Sequence, residues 1–306
     1  MRVLVTGGSG FLGAWIIRRL LARGIDCVSF DVGANPRLVD ALAPARAAAV
    51  HWRTGDVADA AATARALDGC DAVIHLAGIL TPACAADPLR GAQVNLIGTL
   101  NVFEAARAAG LRRVLYASSA GVFGPDDGAV PLPQTHYGAF KLACEGSARA
   151  YWHDHGIASV GFRPLVVYGA GRETGSSAGP SLACRAAARG ERYTIPFSGT
   201  TGLVYADDVA AAYEAALLHD FDGAHAFTLA GEITPVTTLI ERIAALAPDA
   251  HIDADGPPLP IATDFLDDPA LARLLPGLPR TALDDGLRQT IAFYSHGVPA
   301  LAAAGR

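Results

Sequence analysis

This sequence predicts an α/β fold, a doubly wound parallel sheet with a smaller, sequence-discontinuous C-terminal lobe. Three observations carry that expectation. Short aliphatic runs alternate with amphipathic stretches through the N-terminal half, as in repeated βαβ units. The first such run leads straight into a glycine-rich turn that opens a helix. After Tyr168 the texture changes to a segment rich in glycine, serine and proline, as befits a loop over a site.

The elements follow in order. Residues 2–5 are β-branched and aliphatic and predict a buried strand. Residues 11–23 carry apolar side chains at 12, 16, 17, 20 and 21, the spacing of one helix face. Further strands are expected at 27–30, 48–53, 72–76, 113–118 and 159–167, with helices at 93–109 and 137–155. Beyond the loop at 169–181 come a helix at 182–188 and an extended segment at 193–197. A strand at 204–206 and a helix at 207–218 are expected to return to the main sheet, followed by a strand at 226–229. A helix at 234–246, a proline-rich loop at 256–260 and a helix at 283–294 close the chain. Residues 1–168, rejoined by about 203–230, then form one unit. Residues 169–202 and 231–306 form the lobe, resting on the carboxyl edge of the sheet.

Composition bounds the function. The chain has 306 residues, more than a single small core needs. Its 51% hydrophobic and 18% charged content is that of a core-rich globular protein. A formal charge of −6 gives no electrostatic footprint for nucleic acid or an anionic membrane, and neither is an expected partner. No apolar stretch approaches the roughly 20 residues of a spanning helix. The chain opens directly on its first strand, so no leader segment is expected and a cytoplasmic location is. Five scattered cysteines read as small buried hydrophobes of a reducing compartment, with no metal site expected.

Gly7, Gly10 and Gly13 lie between strand and helix, where backbone N–H groups and the positive helix end can receive a pyrophosphate. Glycines also serve tight turns for steric reasons alone, but Asp31 narrows the choice. It ends the second strand, where a carboxylate accepts hydrogen bonds from ribose hydroxyls and repels a 2′-phosphate. NAD is therefore expected over NADP.

Two more features converge on the same sheet edge. Ser118 and Ser119 end a strand, and Tyr137 and Lys141 share one face of a helix. Oxidising an alcohol needs a base for the hydroxyl proton. A tyrosine helped by a neighbouring ammonium is one such base, and a serine hydroxyl can steady the substrate oxygen. Each feature alone has a structural explanation; the ordered set is what carries the reading.

At these residues the chain resembles the extended short-chain dehydrogenases/reductases, the NAD-dependent epimerase/dehydratase family. The matching pieces are TGGSGFLG (6–13), Asp31, GDV (55–57), HLAG (75–78), VNLIGTLNVFEAA (94–106) and YASSAGVFG (116–124). They continue with YGAFK (137–141), RPLVVYG (163–169), VYADDVAAA (204–212) and PRTALDDGL (279–287). The resemblance implies a Rossmann sheet, a homodimer paired through helices 93–109 and 137–155, and a Ser119–Tyr137–Lys141 catalytic set. It further implies that Gly7, Gly10, Phe11, Leu12 and Gly13 hold the pyrophosphate and that Asp31 holds the adenosine ribose. Asp56 and Val57 would flank adenine, with Leu76, Ala77 and Gly78 along the cofactor channel and Asn95 structural beside them. Pro164, Leu165 and Val166 would pass beside the nicotinamide, and Lys141 would bind its ribose and favour the phenolate of Tyr137.

Departures from the family pattern bear on substrate. Val166 stands where nucleotide-sugar enzymes usually carry asparagine, and residues 199–203 lack the arginine that clamps a diphosphate. Ala120 and Gly121 replace the acid pair of dehydratases. The loop from Gly124 to Tyr137 is short for the family. Thr81, Arg172, Ser176 and Ser177, together with Ser119, become the candidate substrate contacts, although Arg172 could equally lie solvated on its loop. His136 reads as opening the helix, and Arg163 as half of a structural ion pair. The leading expectation is an NAD-dependent dehydrogenase acting on a secondary alcohol of a sugar or sugar-acid-like compound. An epimerase with transient oxidation is the nearest alternative, and a non-catalytic NAD sensor or scaffold is one from another class.

Overall fold

The computed structural model describes residues 1–125, 130–261 and 268–295. The expected short loop between Gly124 and Tyr137 falls partly outside them, as does the end of the expected lobe.

Seven parallel strands form the main sheet. They are β1 (Arg2–Thr6), β2 (Asp26–Asp31), β3 (His51–Thr54), β4 (Ala72–His75), β5 (Arg113–Ala117), β6 (Ala158–Pro164) and β10 (Ala224–Leu229). Their spatial order is β10-β6-β5-β4-β1-β2-β3, and every pairing is parallel. The order reverses between β1 and β4, which opens a crevice at the strands' carboxyl ends where such sheets take ligands.

Alternation along each strand supplies both faces. Val3 and Val5 join one core cluster and Leu4 the other, as a period of two requires. The first face is covered by α1 (Phe11–Ala22), α2 (Arg37–Leu42) and α9 (Ala206–Leu218). The second is covered by α3 (Ala60–Leu67), α6 (Gly98–Ala108) and α7 (His136–His155). Between β4 and α6 run two short helices that sequence periodicity did not reveal, α4 (Thr81–Ala86) and α5 (Pro88–Ala92). A π-helical turn, Gln93–Ile97, joins α5 to α6.

The strand expected over 159–167 is two strands. Proline has no N–H to carry the ladder onward, and β6 ends at Pro164. The chain then crosses to β7 (Val166–Tyr168), which pairs with β9 (Thr200–Tyr205). With β11 (Glu232–Pro235) these form a separate three-stranded sheet, β11-β9-β7. The strand expected over 204–206 therefore does not rejoin the main sheet: its first residues belong to β9. Only α9, against α1, and β10, against β6, return.

The remaining elements are α8 (Gly179–Arg189), β8 (Arg192–Ile195), α10 (Val236–Leu246), β12 (His251–Ala254), α11 (Pro269–Leu274) and α12 (Leu283–Ser295). β8 and β12 pair in parallel. Apolar residues of α8, α10 and α12 extend the core cluster beneath α1 and α9. Among the described residues no helix is long and apolar enough to cross a membrane.

Candidate active site

The glycine turn is shaped by close approach. Gly7 has a left-handed φ of 71° and donates to the Phe30 carbonyl at 2.9 Å. A Cβ on Gly13 would stand 2.3 Å from the Gly7 carbonyl oxygen, so only glycine lets α1 pack onto the turn. α1 begins after Gly10 with no side-chain cap and no acid in its first turn. Its first N–H groups therefore face the crevice as an open anion site. At the end of β2, Asp31 accepts from the Ser9 N–H at 3.1 Å and the Val32 N–H at 2.8 Å. Burial raises its pKa above the ordinary aspartate value, and these hydrogen bonds pull against that rise.

β5 delivers the two serines, and they diverge. Ser118 is buried and donates to Glu145 on α7. That carboxylate is also held by Arg163, so Arg163 is the structural ion-pair partner its position suggested. Ser119 faces the crevice, its Oγ accepting from the Gly121 N–H at 3.0 Å.

α7 brings the other two members. Thr135 caps it by accepting from the Gly138 N–H at 3.0 Å, His136 opens it, and Tyr137 lies in its first turn. Gly138 sits directly on the turn after β5, where a Cβ would meet the Gly121 oxygen at 2.0 Å. Ser119 Oγ and Tyr137 Cδ1 both lie near Gly121, 3.3 and 3.9 Å from where its Cβ would project. Lys141 is buried one turn on, its Nζ donating to the Ala117 carbonyl at 2.7 Å and standing 5.6 Å from the Tyr137 ring centre. Among the described residues no other acceptor is bonded to that ammonium, which leaves two further N–H groups for a ligand.

Behind this set lies a polar network that no spacing in the sequence announced. The His75 ring, at the end of β4, contacts Thr6 Oγ1 at 2.7 Å and Thr99 Oγ1 at 3.0 Å. Thr6 Oγ1 also accepts from the Leu76 and Ala77 N–H groups, and Thr99 donates to the Asn95 carbonyl. Burial, with the Lys141 ammonium adding to it, pushes His75 down to about 3. Asn95 is buried, its amide donating to Ile79, Gly91 and Cys84. Its Oδ1 has no hydrogen-bond partner among the described residues and stands 2.6 Å from a Cβ position on Gly78.

A cleft of about 530 Å³ gathers most of the expected residues. Gly7, Gly10, Phe11, Leu12, Gly13, Leu76, Gly78, Pro164, Leu165 and Val166 line it together with Ser119 and Tyr137. Thr81, Arg172, Ser176 and Ser177 line it too. Asp31, Ala77, Asn95 and Lys141 stand just behind this lining, in the contacts already described. Asp56 and Val57 lie farther out. Asp56 is paired with Arg90; burial works to raise its pKa, but the Ala58 N–H and Arg90 bring it below the ordinary value. Val57 is buried, its carbonyl accepting from Asn101 at 2.8 Å. Sequence reading missed Ser9, Asn35, Leu80, Gln134 and the wall made by Leu259, Pro260 and Ile261. Of these only the proline-rich loop carried a signal, and it marked a loop rather than a wall.

The open α1 terminus, the glycine cradle, Asp31 and the orphaned Asn95 acceptor all fit a bound dinucleotide. Comparison with known proteins agrees. Residues 3–230 match the profile of the NAD dependent epimerase/dehydratase family. A UDP-glucose 4-epimerase from Mycolicibacterium smegmatis is 30% identical over 96% of this chain and 98% of its own length. A 2-alkyl-3-oxoalkanoate reductase from Stenotrophomonas maltophilia is 31% identical over 83% of this chain and 78% of its own. Among solved structures, the UDP-glucose 4-epimerase of Thermus thermophilus in complex with NAD superposes with a TM-score of 0.82. It is 25% identical and covers 96% of this chain and 99% of that one. With its reversed strand order, glycine turn and crevice, this chain belongs to the NAD-dependent epimerase/dehydratase family, enzymes that use NAD as cofactor.

Proposed function

We propose that the protein is a dehydrogenase acting on a secondary alcohol, or the matching ketone, of a sugar or sugar-acid-like substrate. The observation that carries this reading is the meeting of Ser119 and Tyr137 at Gly121, with Lys141 buried behind them. NAD, when bound, takes up the hydride from the alcohol carbon. Tyr137 receives the hydroxyl proton on its phenolic oxygen, and Ser119 Oγ holds the substrate oxygen beside it. Lys141 anchors the nicotinamide ribose with the N–H groups that Ala117 leaves free. The first N–H groups of α1 would hold the pyrophosphate and Asp31 the adenosine ribose. Asp56 and Val57 would border the adenine, with Leu76–Gly78 and Pro164–Val166 along the nicotinamide side. Residues 1–168 with 203–230 make the cofactor half; the described parts of 169–202 and 231–306 make the substrate half.

The second reading is an epimerase, favoured by the near full-length relative. Against a nucleotide sugar stand Val166 and the stretch 199–203 without arginine, which leave a diphosphate without its usual anchors. Measuring NADH absorbance over a panel of sugars, sugar acids and nucleotide sugars separates the two. The dehydrogenase forms NADH in step with product; an epimerase forms none at steady state. Tyr137→Phe should lower turnover by roughly 10²- to 10⁴-fold while NAD affinity stays unchanged. Unaltered turnover would mean that Tyr137 is not the base; NAD binding with no turnover by the parent on any compound of the panel would favour a sensor or scaffold.

A homodimer through α6 and α7 belongs to the same proposal. Leu89 on α5, Ile97 just before α6 and Trp152 on α7 are exposed apolar side chains there. Sedimentation should give twice the chain mass; a monomer at micromolar concentration would refute it. All five cysteines are free and buried, which supports a reducing cytoplasm.

A further inference from the structure

Arg172 sits on the cleft wall in an unusual electrostatic state. Its Nη1 donates to the Val167 carbonyl and its Nη2 to Ser177 Oγ at 2.8 Å, while its guanidinium lies 5.9 Å from the Phe11 ring centre. These ties use two of the five N–H donors of a guanidinium. No carboxylate among the described residues forms an ion pair with it. The adjacent Glu173 is already held by Arg185 and by the Tyr294 hydroxyl. Several other part-buried arginines are matched, Arg18 and Arg19 by Asp207 and Arg163 by Glu145, while Arg53 is held by the carbonyls of Arg65, Ala66 and Asp68.

The surroundings also desolvate it. Burial pushes the Arg172 guanidinium down to about 10, and Tyr137 is close enough to act on it electrostatically. A part-buried cation that no carboxylate among the described residues neutralises is stabilised when an anion meets it. Among the described residues lining the cleft, Arg172 is the only lysine or arginine. One positive charge suits a monoanion better than a diphosphate.

We propose that Arg172 receives a carboxylate of the substrate, set a few carbons from the alcohol that Tyr137 deprotonates, so that the substrate is a small hydroxy acid. Ser176 and Thr81, on the same cleft, add neutral donors for its other oxygens. The assignment rests on reading the cleft as a substrate site of an NAD-dependent enzyme. The cofactor pyrophosphate is the other anion that could reach Arg172, because Phe11 opens the helix that faces it.

The test uses Tyr137→Phe enzyme loaded with NAD, so that binding is read without turnover. Short aldonic acids and 3-hydroxy acids are titrated by calorimetry, each against its primary amide. An acid should bind roughly 10- to 100-fold more tightly than its amide. Adding Arg172→Gln should remove that preference, adding Arg172→Lys should keep part of it, and NAD affinity should not change. The assignment is overturned if no acid outbinds its amide, or if Arg172→Gln keeps the preference. It is also overturned if Arg172→Gln instead loses NAD affinity, which would give the guanidinium to the pyrophosphate. NADH formation by the parent enzyme is scored separately. Acid binding through Arg172 without NADH would sustain the carboxylate site while removing the dehydrogenase reading.

Discussion

Ser118 and Ser119 are chemically identical neighbours with opposite fates. The hydroxyl of Ser118 donates to Glu145 on α7, while that of Ser119 accepts from the Gly121 N–H at the cleft. The family resemblance singled out Ser119, but Glu145 as the reason for Ser118 was visible only after folding. His75 was legible as part of a motif and not as a chemical group. Its ring is held neutral between Thr6 and Thr99, with a pKa near 3 when folded, against about 6.5 when unfolded. As pH falls through that interval, the unfolded chain takes a proton that the folded ring refuses. Stability is therefore fully present above about pH 6.5 and is lost below it, by up to roughly 1.4 kcal/mol per unit for this group. Urea denaturation across the window should show this slope in the parent and a flatter one in His75→Gln. Equal slopes would remove His75 as the source.

Whole segments were easier to foresee than their partners. α7 was expected over 137–155, and the structure bounds it with Thr135 as its cap and Gly156 in the left-handed conformation at its end. What the helix does was not. Gly138 lets its first turn rest on the Gly121 backbone, and that contact sets Tyr137 against Ser119. Gly138→Ala would force a Cβ to within 2.0 Å of the Gly121 oxygen unless the helix moves. The expected cost is roughly 1–3 kcal/mol of stability. Turnover should fall by roughly 10²-fold if Tyr137 moves by about 1 Å. NAD affinity should fall less than turnover, because α7 contributes only Lys141 to the cofactor while the glycine turn lies on another element. Thermal melts, kcat and NAD titration read the three effects, and a variant with parental kcat would show that the contact does not position Tyr137. β7 and β9 show the opposite case. Their apolar residues predict strands, but an unbroken apolar run from 164 to 168 conceals the change of sheet at Leu165.

Across the molecule, the closing helix reaches back to the cleft. The hydroxyl of Tyr294, on α12, accepts from the Gly171 N–H at 2.8 Å and donates to Glu173 at 3.1 Å. Glu173 in turn pairs with Arg185 on α8. The loop that carries Arg172 and Ser177 is thus pinned by α8 and by α12, the latter more than a hundred residues away in the chain. Tyr294→Phe should cost about 1–2 kcal/mol and speed amide exchange in residues 169–177. It should also raise KM for substrate without changing NAD affinity. Unchanged exchange in that loop would show that the hydroxyl does not pin it.

Local chemistry alone was enough for the alternation of strands and helices, the glycine turn and the acidic end of β2. Each depends on neighbours within a few residues or on a repeat period, and such information is contiguous in the chain. Tertiary packing alone decided that β9 leaves the main sheet, that Ser118 serves Glu145, and that Arg172 lines the cleft with no carboxylate among the described residues paired to it. Those outcomes depend on which distant groups compete for a hydrogen bond, an ion pair or buried surface, and that competition exists only once the chain has folded.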